Sequence, residues 1–152
     1  MIPSDEVSRF FKEFERNSAS LDLDGISGQF ADVFLNADPV RVGPVPKGAF
    51  LAALAQREKM FSSIGVKRIR LTAVRETVLD PMHTLAATDW IAELTGGDEL
   101  PLASTFVLRR EGSSFVVVFY LNHQDIGKVI ASRSGAESSE TPRTGFEPGP
   151  TE

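Results

Sequence analysis

The stretch VKRIRLTAVRETVLDPMHTLAATDWIAELTGGDELPLASTFVLRREGSSFVVVFYLN, residues 66–122, decides the fold. From Val66 the sequence has a period of two: Ile69, Leu71 and Ala73 alternate with Arg68, Arg70 and Thr72, the pattern of a strand with one buried and one wet face. Turn chemistry interrupts at Asp80-Pro81, at Thr95-Gly96-Gly97-Asp98 and at Glu111-Gly112-Ser113-Ser114. The segments between these breaks, Met82–Leu94, Leu100–Arg110 and Phe115–Asn122, are predicted as three further strands. Consecutive strands joined by tight turns pair antiparallel, so this half of the chain reads as a meander. Its last strand is apolar on nearly every residue, which predicts cover on both faces: helices on one, a second subunit on the other.

The helix signals all lie upstream. Ser4 or Asp5 caps a first helix whose Val7, Phe10, Phe11 and Phe14 fall at i, i+3, i+4 and i+7, with acids at its start. Leu21–Leu35 places Ile26, Phe30, Val33 and Phe34 at helical spacing and is predicted as a second helix weakened by Gly25 and Gly28. Asn36-Ala37-Asp38-Pro39 is a turn, and Val40-Arg41-Val42 a short strand stopped by Gly43-Pro44-Val45-Pro46. Pro46 suits the first position of a third helix that aligns Phe50, Leu54, Arg57 and Phe61 and ends at Gly65. Helices followed by a meander give an α+β fold: a curved, mostly antiparallel sheet wrapped around N-terminal helices, an arrangement that can enclose a cavity.

With 152 residues the chain suits one domain, assigned to residues 1–131. Beyond Ile130 the composition turns to Ser, Gly, Pro, Thr and Glu, and Ser132–Glu152 is expected to be a disordered tail. Eleven Phe supply a Phe-rich core, and the absence of Cys removes disulfides, thiolate nucleophiles and Cys-ligated zinc. A net charge of −5 argues against nucleic acid as a partner. The basic accumulation Lys67, Arg68, Arg70, Arg75, Arg109 and Arg110 reads instead as an outer strand face that discourages edge pairing or meets acids such as Glu76, Glu93 and Glu111. Neither a secretory leader nor a membrane span is recognisable, which makes a cytoplasmic location the expectation.

The order helix, helix, short strand, helix, long strands resembles the nuclear transport factor 2-like superfamily, whose cone-shaped α+β fold includes ketosteroid isomerases and SnoaL-like polyketide cyclases. Phe30–Asp38 is similar to that family's second helix running into its first strand, and Lys47–Leu54 to the Gly-led helix that follows. Thr88-Asp89-Trp90 sits where members carry a central-strand Trp, and Thr105–Gly112 with Phe115–Asp125 matches the last hairpin. The resemblance covers about Asp5 to Asp125. It implies the fold but little about activity, because this fold carries enzymes, ligand binders and dimerisation modules. Isomerase chemistry needs a carboxylate base and an oxyanion hole of Tyr and protonated Asp. Gly43 stands before Pro44-Val45 where the base is expected, and Phe10, Phe11 and Phe14 stand where the Tyr donor is expected.

Of the two histidines, His123 closes the last strand beside Gln124 and Asp125, where an imidazole oriented by a carboxylate can reach a cone mouth; a strand-end His satisfying backbone carbonyls is the competing reading. Asp38 is the carboxylate nearest Gly43, so His123 and Asp38 are the candidate general bases. His83 is expected on the outer face, and two His without HxH or HExxH spacing predict no metal site and call for no cofactor. Trp90 and Asp89 point to opposite faces of their strand, and the resemblance implies Trp90 inward with Ala86 and Thr88, leaving Asp89 outward. Phe30, Phe34, Trp90, Phe106 and Tyr120 are the predicted walls of a pocket for a small apolar molecule, with ordinary core packing as the alternative, and the Tyr120 hydroxyl needs a partner there. The leading expectation is therefore a homodimeric ligand binder. An isomerase, cyclase or hydrolase is the second reading, and a non-enzymatic dimerisation module the third.

Overall fold

A computed structural model describes residues 4–134 of the chain. Helix α1 (Asp5–Ala19) begins at Ser4, whose Oγ accepts a hydrogen bond from the Val7 N–H at 3.3 Å. Val7, Phe10, Phe11 and Phe14 are all buried, as their spacing predicts. The four long strands follow in the expected order: β3 (Val66–Val78), β4 (His83–Leu94), β5 (Glu99–Glu111) and β6 (Ser114–Asn122), each antiparallel to the next. Helix α3 (Lys47–Ser63) precedes them and gives way at Gly65, whose φ of +89° suits a residue without a Cβ. Pro46 lies one position earlier than expected, at the N-cap.

Between α1 and α3 the chain departs from the helical reading. Helix α2 is one short piece, Leu23–Ser27, and Phe30–Ala37 is strand β1, not the second half of a helix. Phe30 and Phe34 are four residues apart, a spacing that puts both on one face of a helix and equally on one face of a strand. Tertiary pairing decides: β1 lies parallel to β6 and antiparallel to β2 (Val42–Pro46), which satisfies its backbone on both sides. Strand β2 thus starts where the predicted strand 40–42 was to end and runs through Pro44 and Pro46. Two prolines are tolerated because β2 is an edge strand in the order β2-β1-β6-β5-β4-β3. The architecture is α+β with an open, mixed, mostly antiparallel sheet. A helix absent from the sequence reading, α4 (Ile126–Ser134), follows β6 and runs into the segment assigned to the tail; 135–152 lie outside the described residues.

Two irregularities reset the faces of β3. The register with β4 shifts between Val66 and Arg68 and again between Leu71 and Ala73. Leu71 opposite Trp90 and Val74 opposite Thr88 therefore share the inner face, while Ala73, expected inward, pairs with the outward Asp89. The same shift takes Glu76 from the expected outer face to the inside, where it is buried and accepts the Ser4 N–H at 2.7 Å, capping α1 from the sheet. Glu15 reaches back from α1 to accept the Leu71 N–H at 2.8 Å, beside the second irregularity. Helix and strand thus exchange hydrogen bonds at two points.

An aromatic core fills the space between α1 and the sheet. Phe11 and Phe14 meet Phe106 edge-to-face at 5.1 and 5.5 Å, and Phe14 meets Trp90 at 6.0 Å. Each such ring contributes roughly 1.5–3 kcal/mol by leaving water. Outside this core, Glu6 makes a two-pronged bond to Arg110 (2.7 and 3.0 Å), whose guanidinium lies 4.6 Å from the Phe115 ring centre, fastening α1 to the β5–β6 hairpin.

The Arg110 hydrogen bond holds the Glu6 carboxyl below its ordinary value of 4.5. A carboxylate with a lowered folded pKa contributes fully above the unfolded value and loses that contribution as pH falls through the folded one. Glu6→Gln is therefore expected to cost about 0.5–1 kcal/mol at pH 7, discounted for partial exposure. The difference from wild type closes below about pH 4.5 in urea titrations run across pH.

Candidate functional site

Strand β4 alternates without a break: Thr84, Ala86, Thr88, Trp90, Ala92 and Leu94 are buried, and the residues between them are half-exposed. The inward neighbours of the indole along β4, Ala86, Thr88 and Ala92, are small and leave space unfilled beneath helices α1 and α3. The result is a cavity of about 210 Å³ among α1, α3 and the inner face of β3 to β6. Trp90, Leu102, Phe106 and Tyr120 form its sheet wall, and Phe14, Phe50 and Leu54 its helical wall. Leu21, with the rare φ of 51° at the corner between α1 and α2, also lines the cavity.

The indole is fixed from its own strand. Trp90 Nε1–H donates to Thr88 Oγ1 at 2.8 Å, and the Thr88 hydroxyl donates to the Ser104 carbonyl at 2.9 Å. Tyr120 stacks on Phe106 with ring centres 4.9 Å apart and planes 12° from parallel. Three of the five expected wall residues, Trp90, Phe106 and Tyr120, thus line the cavity. Phe30 and Phe34 do not: they form a second layer behind Phe50, at 4.7 and 4.9 Å. Having been drawn into β1 rather than a helix, they support the wall instead of forming it.

The two candidate bases are not brought together. Tyr120 and Asn122 point inward, so strand alternation turns the following His123 outward, where it is exposed and its Nε2 lies 2.8 Å from Thr105 Oγ1. Asp38 borders a smaller adjoining cavity of about 140 Å³ that shares Phe50, Leu54, Arg57, Tyr120, Asn122 and Ile126 with the larger one. One oxygen of its carboxylate accepts the Val40 and Arg41 N–H groups at 2.8 and 3.0 Å, holding the β1–β2 turn. His83 lies on the outer face as expected, with Nδ1 3.0 Å from Asp80 and Nε2 3.1 Å from Arg109 Nη1. Backbone and imidazole bonds lower the Asp80 pKa. Among the described residues no group of three or more His, Cys, Asp or Glu is placed to hold a metal, and no helix is long and apolar enough to cross a membrane.

Residues overlooked by the sequence reading are Ser104, Asn122 and Arg57. Parity finds the first two, since Ser104 pairs with Asn122 and both share the inner face with Phe106 and Tyr120. Helical period finds Arg57, the lone cation on the line Phe50, Leu54, Phe61.

An open mixed sheet wrapped on N-terminal helices with a hollow between them is the nuclear transport factor 2-like, or cystatin-like, fold, and solved structures share it. An NTF-2-like protein of unknown function from Shewanella oneidensis MR-1 superposes with a TM-score of 0.66 at 14% identity, covering 81% of this chain and 100% of its own. A protein of unknown function with a cystatin-like fold from Nostoc punctiforme PCC 73102 gives 0.63 at 10% identity, covering 82% and 96%. Aln2 from a Streptomyces species gives 0.63 at 16%, covering 86% and 99%. No known family model and no curated protein matches the sequence. At these identities the likeness is one of fold.

Thr88→Val keeps the volume of the side chain but leaves the buried indole N–H without an acceptor and the Ser104 carbonyl without that donor. It is expected to destabilise the protein by about 1–3 kcal/mol, read as a lower urea midpoint with an unchanged slope.

Proposed function

We propose that this protein binds a small molecule with an apolar body in the cavity between α3 and the sheet. The observation that carries the reading is the hollow itself: about 210 Å³ beside a rigidly held indole, in a domain otherwise packed with aromatic rings. Protein interiors are close-packed, and large apolar space with a few polar groups is the form of a ligand site. An apolar cavity of about 150 Å³ takes benzene, so this one suits a body about one ring larger. Binding is favoured over acid–base catalysis because His123 lies on the opposite face of the sheet and the Asp38 carboxylate serves a turn. Saturating naphthalene is expected to raise the Tm by at least about 2 °C. Leu54→Trp, which fills the space from α3, should retain a wild-type Tm and lose that rise. A wild-type protein indifferent to naphthalene contradicts the reading.

The outer sheet face supports a homodimer as the working unit. Leu35, Phe119, Val107 and Leu85 are directly registered neighbours across four strands, an apolar row on the face away from the helices. Burying such a row against a second copy contributes roughly 25 cal/mol per Å² before the costs of association. Light scattering is expected to give twice the chain mass, and Val107→Glu to give a monomer that still responds to naphthalene. A wild-type monomer at micromolar concentration would count against the dimer alone.

A further inference from the structure

Among the described residues, three polar side chains face the cavity with no hydrogen bond from the side chain. Tyr120, Asn122 and Ser104 are 7, 9 and 7% exposed, and all three line the larger cavity. Among the described residues the Tyr120 hydroxyl, the Asn122 amide and the Ser104 hydroxyl have no protein partner, although the Ser104 carbonyl accepts from Thr88. Ser104 and Asn122 are directly opposed on β5 and β6, and Tyr120 is two residues along the same inner face, so the three form one polar patch in an aromatic wall. A buried polar group left without a partner costs roughly 1–3 kcal/mol, and three side by side call for a polar occupant.

The charges around the cavity indicate its sign. Arg57, half-buried on α3, lines both the larger cavity and its annex together with Tyr120 and Asn122. Lys67 and Arg68, both exposed, stand at the rim where β3 begins. None of these three cations forms an ion pair among the described residues, whereas Arg70, Arg75, Arg109 and Arg110 are all paired. Two acids border the same space. Glu58 is exposed at the rim, and Asp38 in the annex is engaged by backbone N–H groups. Three cations against two acids leave the lining of the two cavities net positive, in a protein of net charge −5.

We infer that the ligand is an amphipathic anion, an aromatic or alicyclic carboxylate whose ring lies against Trp90 and Phe106 and whose carboxylate takes hydrogen bonds from Tyr120, Asn122 and Ser104 under the guanidinium of Arg57. The inference rests on the binding function proposed above and adds the chemistry of the head group. Tyr120, Asn122, Ser104 and Arg57 all line the larger cavity, and their donors suit two carboxylate oxygens with four lone-pair sites. Lys67 and Arg68 serve approach rather than grip, because exposed charges are screened within about 8 Å at physiological salt.

Calorimetric titration with 2-naphthoate, 2-naphthamide and naphthalene separates the head group from the body. Wild type is expected to bind 2-naphthoate at least tenfold more tightly than 2-naphthamide. Arg57→Gln should bring the two within twofold by weakening 2-naphthoate far more than the amide, and Arg57→Lys should restore part of the preference. Tyr120→Phe and Asn122→Leu should each weaken 2-naphthoate about fivefold and naphthalene less than twofold; Lys67→Gln with Arg68→Gln should change equilibrium affinity less than twofold. Amide or naphthalene binding as tight as that of 2-naphthoate overturns the anionic head group and leaves the apolar site standing. No binding of any of the three overturns both. The wild-type ratio decides even where a variant fails to fold.

Discussion

The hydrogen bonds from Trp90 to Thr88, and from Thr88 to the carbonyl of Ser104 across the strand pair, set the geometry on which the interior depends. An indole is a large apolar surface with one polar atom that must be satisfied when buried. Here the acceptor lies two residues back on the same strand face, so the ring is held along the sheet instead of projecting freely toward the helices. Phe14 packs against its side and Phe106 against Phe14, while the small Ala86 and Ala92 add no bulk nearby. The space that remains is therefore a property of the sheet wall, and α3 closes over it.

A second constraint acts through the irregularities of β3. A strand that kept strict alternation through residues 66–78 would place Ala73 inside and Glu76 outside. The shift after Leu71 reverses both, so the buried Glu76 meets the first turn of α1. The same strand is an edge of the sheet, and Arg70 and Arg75 on it pair with Glu93 and Asp89 of β4. Charged side chains on a long edge strand oppose pairing with another chain's edge. The proposed dimer rests instead on the apolar row Leu35, Phe119, Val107 and Leu85 of the outer face.

The meander and α1 were legible because each carries one period over many residues. The inward Trp90 followed from the family resemblance, and strand alternation then put Asp89 outward. Phe30–Ala37 was not legible, since a four-residue spacing fits helix and strand alike and only the pairing with β6 separates them. Strand β2 was hidden by its prolines, which an edge position excuses. The misplacement of β1 carried Phe30 and Phe34 into the expected pocket wall, whereas the structure makes them its backing. The neighbours Gln124 and Asp125 suggest a site at His123, yet parity takes it outward once Tyr120 is inward. Arg57 was visible on the helical line of Phe50, Leu54 and Phe61, and a cation there is a signal because apolar lines rarely carry one without a purpose.

Fold likeness alone assigns no activity, because function lies in the site. The proposed site is a hollow with an aromatic floor and a polar patch, not a filled core. Diffraction from crystals pressurised with xenon tests that claim most directly, because xenon enters apolar voids and not close-packed interiors. The account predicts xenon density among Trp90, Leu102 and Leu54 with the surrounding side chains unmoved. Side chains filling that volume, with no xenon between α3 and the sheet, would contradict it.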